Sequence, residues 1–206
     1  MDWDSEFSLN TQSCLLSFRP AVQELISLVH NERRSPELLP FEHATISQVQ
    51  STLTHQHNLL DARKPEDREI YLLDLDRVTY LLKSYFRLRL FKINTYHKHY
   101  ATNSECLRDS EKQVCMKINL LEQKHFFDSF LHCLPEGNFQ SVERDQDGSS
   151  MVAEPDCEVF CFYKALETVG DVSVEGGVIG IEAGGVYLGK YSHVRGLVMA
   201  GKVKLV

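Results

Sequence analysis

Apolar residues recur at three-and-four spacing through the first two thirds of the chain and alternate with glycines near its end, so the pattern predicts helices followed by strands. A first helix is predicted over residues 20–33, with Val22, Leu25, Ile26 and Val29 on one stripe and Pro20 in the permitted first turn. The turn Ser35-Pro36-Glu37 separates it from a second helix over 42–63, carried by Ile46, Val49, Leu53 and Leu60 and stopped by Pro65. Pro65 with Glu66, Asp67 and Glu69 suits the positive start of a third helix running to about residue 100, whose stripe is Tyr71, Leu75, Val78, Leu82 and Tyr85. Thr102 and Glu105 are spaced as a capping box, which predicts a fourth helix through Val114, Ile118, Leu121 and Phe127 to residue 134. Strands are expected at 159–163, 172–174, 178–181, 186–191 and 203–206, with turn signals at Gly176-Gly177 and Gly184-Gly185. Residues 192–200 read as a helix crossing between the last two strands.

All eleven glycines lie at or after Gly137, and no glycine or proline interrupts the residues between Pro65 and Pro135. Glycine costs a helix interior about 1 kcal/mol and proline about 3, so the backbone rules change two thirds of the way along. The expected class is α+β: a helical domain over 20–134, a polar linker over 135–155, a small β-rich domain over 156–206, and a flexible tail over 1–19.

Two mismatches imply partners. A third helix of about 34 residues would span roughly 51 Å, well beyond the roughly 30 Å of a small domain. Its second half (Leu81, Leu82, Tyr85, Phe86, Leu88, Leu90, Phe91, Ile93, Tyr96) is apolar on nearly every face, which four helices alone are not expected to cover; the alternative is that it is the central helix of its own bundle. The closing unit of about 50 residues is marginal alone, because a domain that small buries only some 60% of its unfolded surface.

Composition narrows the chemistry. With 22 basic and 29 acidic residues the net charge is -7, which argues against a general nucleic-acid binder. The start is acidic where a secretory signal is basic, and no run reaches the roughly 18 apolar residues of a membrane span, so the chain reads as soluble and intracellular. The six cysteines then read as reduced, mostly buried thiols, with Cys157 and Cys161 facing one side of a strand. The pairs His55/His57 and His97/His99 point to different helix faces and suit no shared metal; they are expected to face solvent or a partner. No nucleophile elbow, dinucleotide fingerprint or phosphate loop is present, so no catalytic, cofactor or metal residue is assigned. One stretch is basic: Arg77, Lys83, Arg87, Arg89, Lys92 and Lys98 with interleaved aromatics and no acid between Asp76 and Glu105, a conceivable DNA face.

The order Glu24-Leu25-Ile26, His30-Asn31-Glu32 and Ser35-Pro36-Glu37-Leu38-Leu39, then a long helix holding Leu82-Lys83-Ser84-Tyr85-Phe86-Arg87-Leu88-Arg89-Leu90-Phe91-Lys92-Ile93, resembles the helix-first members of the GINS family. The ending from Tyr191-Ser192-His193-Val194 to Lys202-Val203-Lys204-Leu205-Val206 resembles that family's closing helix and strand.

The resemblance implies a non-catalytic scaffold subunit of a heterotetramer with three other GINS subunits. It further implies contact with the MCM helicase ring and a Cdc45-type factor in the nucleus, and coupling to a replicative polymerase or a Ctf4-type adaptor. It places Leu82, Tyr85, Leu88, Arg89 and Phe91 in the subunit core and contacts, and Leu197, Val198, Val203 and Leu205 in β-domain docking. In the tail, Trp3, Phe7 and Asn10 fall on one side of a short helix, and that position resembles the adaptor-binding peptide of some family members; the alternative, Trp3 packing on its own helical domain, stays open. The competing function is a small DNA-associated protein working through Arg77 to Lys98.

Overall fold

The computed structural model describes residues 20–60, 65–135, 142–143, 150–174 and 177–206. The tail with Trp3 and Phe7, and the glycine pair's Gly176, lie outside them. Helix α1 covers residues 20–34, and α2 is His43–Leu59. The long α3 is Pro65–Thr95, followed by α4 (His97–Thr102), α5 (Asp109–Ser129) and a single 3-10 turn at Leu131–Cys133. Strands β1 (Phe160–Ala165), β2 (Gly170–Val174), β3 (Gly177–Ile181) and β4 (Val186–Lys190), helix α6 (Tyr191–Met199) and strand β5 (Val203–Leu205) complete an α+β fold.

The helices pack by the stripes that define them. Ala21, Leu25 and Val29 of α1, Ile46 and Val49 of α2, and Val78, Leu82 and Tyr85 of α3 form one buried cluster. Burying each large aliphatic there contributes about 1.5–3 kcal/mol. A second cluster gathers Leu38, Ile93, Tyr100, Leu107 and Cys115 where the segment after α1 crosses α3, α4 and α5. A third, separate cluster lies in the closing unit and holds Tyr163, Ala165, Ile181, Tyr191, Val194, Val198, Val203 and Leu205.

In that unit β1 is central, flanked antiparallel by β4 and β5, while β2 and β3 form their own hairpin. Gly184 turns the chain into β4 with φ of +82°, a conformation that favours glycine. Cys161 lies on β1, whereas Cys157 lies in the turn ahead of it, so the two do not share a strand face as expected.

Helix boundaries differ from expectation, and α5 also stops at Ser129 rather than at residue 134. The long helix breaks at Tyr96 (φ -117°, ψ 35°) rather than running to residue 100. No glycine or proline is involved; packing decides, because the redirected α4 brings the Tyr100 hydroxyl to accept from the Leu38 N–H at 2.8 Å. The expected Thr102/Glu105 capping box does not form. Helix α5 instead starts at Asp109, where Glu111 accepts the backbone N–H of Arg108 at 3.0 Å. Glu111 also holds Arg89, and that tertiary bond outweighs the local cap signal.

The overhang of α3 is also at the other end. One face of its second half is enclosed, with Tyr85, Arg89 and Ile93 buried, while Leu90 and Phe91 stay exposed; Ile70 and Leu73 in its first turns stand 66% and 55% exposed.

Candidate functional site: an interaction scaffold

Two cations continue the apolar stripe of α3, since Tyr85, Arg89 and Lys92 follow Leu82 at three-and-four spacing. Glu32 does the same on α1 after Leu25 and Val29. Helix packing therefore drives these charges together inside the protein, where each must be paired. Arg89 is fully buried. Its Nε and Nη2 donate to both oxygens of Glu111 at 2.8 and 2.9 Å, and its Nη1 donates to Glu32 at 3.2 Å and to the Leu39 carbonyl at 2.7 Å. A further bond runs from Nη2 to the Cys106 carbonyl. Lys92 Nζ donates to the Glu32 carboxylate at 2.8 Å, to the carbonyls of Glu32 and Glu37, and to the Ser35 hydroxyl. Burial alone would depress the Arg89 guanidinium, but the Glu111 hydrogen bonds and the charge of Glu32 raise it above arginine's ordinary value. Burial pulls the Lys92 ammonium down, against the pull of Glu32.

The same segment carries the helical part to the closing unit. Glu37 accepts from the Tyr191 hydroxyl at 2.9 Å and from Arg195 Nε at 2.6 Å. Asn31 Oδ1 accepts the Leu205 N–H at 3.0 Å, and Lys204 Nζ donates to the Ser27 hydroxyl at 3.2 Å. Burial and the adjacent Glu37 push the Tyr191 phenol well above its usual range. These polar bonds hold the closing unit against α1 and the turn after it. Val198, Val203 and Leu205 sit in the unit's own cluster, with Leu197 half-buried against it. Of the bridging groups, the sequence reading gives a docking role to Leu205 and assigns none to Glu37, Asn31, Ser27 or Arg195. The available signal was a charged residue standing on a buried stripe, at Glu32, Arg89 and Lys92.

Around this braced interior several apolar places lie on the surface, two of them on α5 with α3 and on the small sheet. Helix α5 faces inward through Glu111, Cys115, Glu122 and Phe126, and on its two flanks Leu121 and Leu120 are 67% and 66% exposed, beside Met116 and Phe127. On α3, Phe91 is 71% exposed, whereas Leu82, Tyr85 and Arg89 are buried within this chain and Leu88 is half-buried. The second place is the outer face of the β1–β4 pair, where Phe160, Phe162, Val186 and Leu188 are all exposed.

The basic stretch does not form one face. Arg89 and Lys92 are consumed inside, Lys98 pairs with Glu122, and Arg77 pairs with Asp74. Arg87 lies over the Tyr80 ring, which leaves Lys83 and Arg87 as its outward cations of note. His97, expected to face solvent or a partner, is instead mostly enclosed against Glu122 of α5. Among the described residues no cluster of His, Cys, Asp or Glu could hold a metal ion. Burial raises the thiols of Cys106, Cys115, Cys157 and Cys161 above their ordinary value, away from nucleophile chemistry. A cavity of about 20 Å³ lined by Tyr163, Ile181, Leu188 and His193 has room for about one water, against the hundreds of cubic ångströms of a metabolite pocket. No described helix is long and apolar enough to cross a membrane.

Comparison with known proteins finds relatives along the whole chain. Residues 155–206 match the family described as DNA replication complex GINS protein SLD5 C-terminus. The chain is similar to the DNA replication complex GINS protein sld5 of Schizosaccharomyces pombe, 27% identical with all of both chains covered. It is also 28% identical to the SLD5 protein of Arabidopsis thaliana, over 85% of this chain and 86% of that one. The human SLD5 protein is 24% identical over 95% and 93%.

Proposed function

This chain belongs to the SLD5 family of GINS proteins, and from that premise we propose that it is a non-catalytic scaffold subunit of a four-chain GINS complex acting in DNA replication. The carrying observation is the exposed apolar surface of α3 and α5 on a rigidly paired interior. Phe91, Met116, Leu120, Leu121 and Phe127 stand in water on helices whose inward faces are already satisfied, which is the condition of a surface built for other subunits. At about 25 cal/mol per Å², covering several such side chains contributes several kcal/mol to association.

The division of the chain supports the same reading. A helical domain over 20–134 supplies the assembly surface, and a small domain over 156–206, reached through 135–155, is held on it by Glu37, Asn31 and Ser27. Further partners in this reading are the MCM ring and a Cdc45-type factor of the nuclear replicative helicase, with a replicative polymerase or a Ctf4-type adaptor beyond them. The inward-facing residues Leu82, Tyr85 and Arg89 shape the surface from beneath, while Phe91 is itself a contact.

Coexpression with three other GINS subunits, followed by native mass spectrometry, is expected to give one complex with a single copy of this chain. Expressed alone, the chain is expected to aggregate or melt without cooperativity; a monodisperse, cooperatively melting monomer at micromolar concentration overturns the scaffold reading. The DNA-binding alternative predicts salt-dependent binding of the chain to DNA that Lys83→Ala with Arg87→Ala reduces. The interior pairing of Arg89 and Lys92 weighs against it.

A further inference from the structure

The outer face of the small sheet violates the alternation that a half-exposed antiparallel sheet normally shows, apolar inward and polar outward. On β1, Cys161, Tyr163 and Ala165 point into the core, and Phe160, Phe162 and Lys164 point away. The register sets Phe162 opposite Leu188 and Lys164 opposite Val186. Phe160, Phe162, Val186 and Leu188 thus form a continuous apolar patch, each 56–64% exposed. Lys164 closes one end, and exposed Lys202 lies near it because its carbonyl accepts the Leu166 N–H just past β1.

We propose that this face is covered by the chain's own residues 2–9, laid across it in extended conformation. The segment Asp2-Trp3-Asp4-Ser5-Glu6-Phe7-Ser8-Leu9 alternates with period two, putting Trp3, Phe7 and Leu9 on one side and Asp2, Asp4 and Glu6 on the other. Its apolar side matches the patch, and its acids, on the opposite side, face solvent. Reach is short as well. Helix α1 runs beside β5 through the Asn31–Leu205 and Ser27–Lys204 bonds, and Pro20 stands two helical turns, about 10 Å, from Ser27. Strands β1 and β4 lie about 5 and 10 Å beyond β5. Residues 10–19 can span up to about 33 Å, more than the distance required. A segment tethered this closely is present at roughly millimolar effective concentration, so even a weak intrinsic affinity keeps it seated.

The test uses the full chain in its coexpressed assembly. With Trp3→p-benzoylphenylalanine, irradiation is expected to crosslink position 3 to residues 159–164 or 186–190 of the same chain. Crosslinks to α1–α5, to another subunit, or to nothing overturn the proposal. A second measurement needs no substitution in the sheet: hydroxyl-radical oxidation of Phe160 and Phe162, compared between the full chain and a chain starting at Pro20. Loss of the tail is expected to raise that oxidation about threefold, as for a segment with a dissociation constant of about 0.5 mM at about 1 mM effective concentration. Unchanged oxidation overturns it.

Discussion

Arg89 is the residue on which the interior turns. It is a charge on a buried stripe, tolerated because Glu111, Glu32 and two carbonyls satisfy its donors together. Arg89→Leu keeps the apolar stem but leaves Glu111 buried without its cation, a loss of about 3–5 kcal/mol that lowers the melting temperature by roughly 10 °C in a chain of this size. Differential scanning calorimetry of the assembled protein checks it, and a shift within 2 °C would show the network to be dispensable. Buried phenols set the alkaline limit. Burial pushes Tyr85 and Tyr100 from 10.0 to about 12, and Tyr191 higher still. The folded state therefore keeps protons that an unfolded chain releases near pH 10, so this stabilisation is whole below pH 10 and is lost as pH rises through about 12. Absorbance at 295 nm is expected to show these tyrosines ionising only together with the loss of the circular dichroism signal.

Glu111 does two jobs on one element: it accepts the Arg108 N–H at the start of α5 and grips Arg89. Glu111→Ala removes both, whereas Arg89→Leu removes only the second. Hydrogen exchange separates them. The first-turn amides of α5, residues 110–113, are expected to exchange faster in Glu111→Ala and to keep their protection in Arg89→Leu. Equal exchange in both would mean that α5 is anchored by the Arg89 pair rather than by its cap. The break at Tyr96 belongs to the same scale, since it aims α4 so that Tyr100 reaches Leu38.

At the scale of the molecule, buried and exposed leucines of neighbouring helices should fail in different ways. Leu82→Asp places a charge in the α1–α2–α3 core and is expected to unfold the chain. Leu120→Asp, on an outward flank of α5, is expected to leave the helical signal intact and to prevent copurification with partner subunits. If Leu120→Asp copurifies at wild-type yield, α5 is not an assembly surface. The separate core of the closing unit leads to the last expectation: a chain ending at Ser150 keeps its helices within the coexpressed assembly, because the bonds lost through Glu37, Asn31 and Ser27 lie at the seam between the cores. Loss of helix in circular dichroism would show that the two parts share one core.

The chain by itself determined the order and type of its elements. Periodicity of 3.6 without glycine or proline placed the helices, and period two with glycine turns placed β1 to β5 within one or two residues of their observed ends. Those are local properties, set by backbone sterics and by the side on which apolar groups fall. Only the tertiary structure decided where α3 breaks, where α5 begins and which of the basic residues are surface at all. Each depends on a partner far away in sequence: Tyr100 on Leu38, Glu111 on Arg89, and Arg89 and Lys92 on Glu32. A buried charge is stable only where its counter-charge arrives from another element, and spacing along one helix cannot say which element that will be.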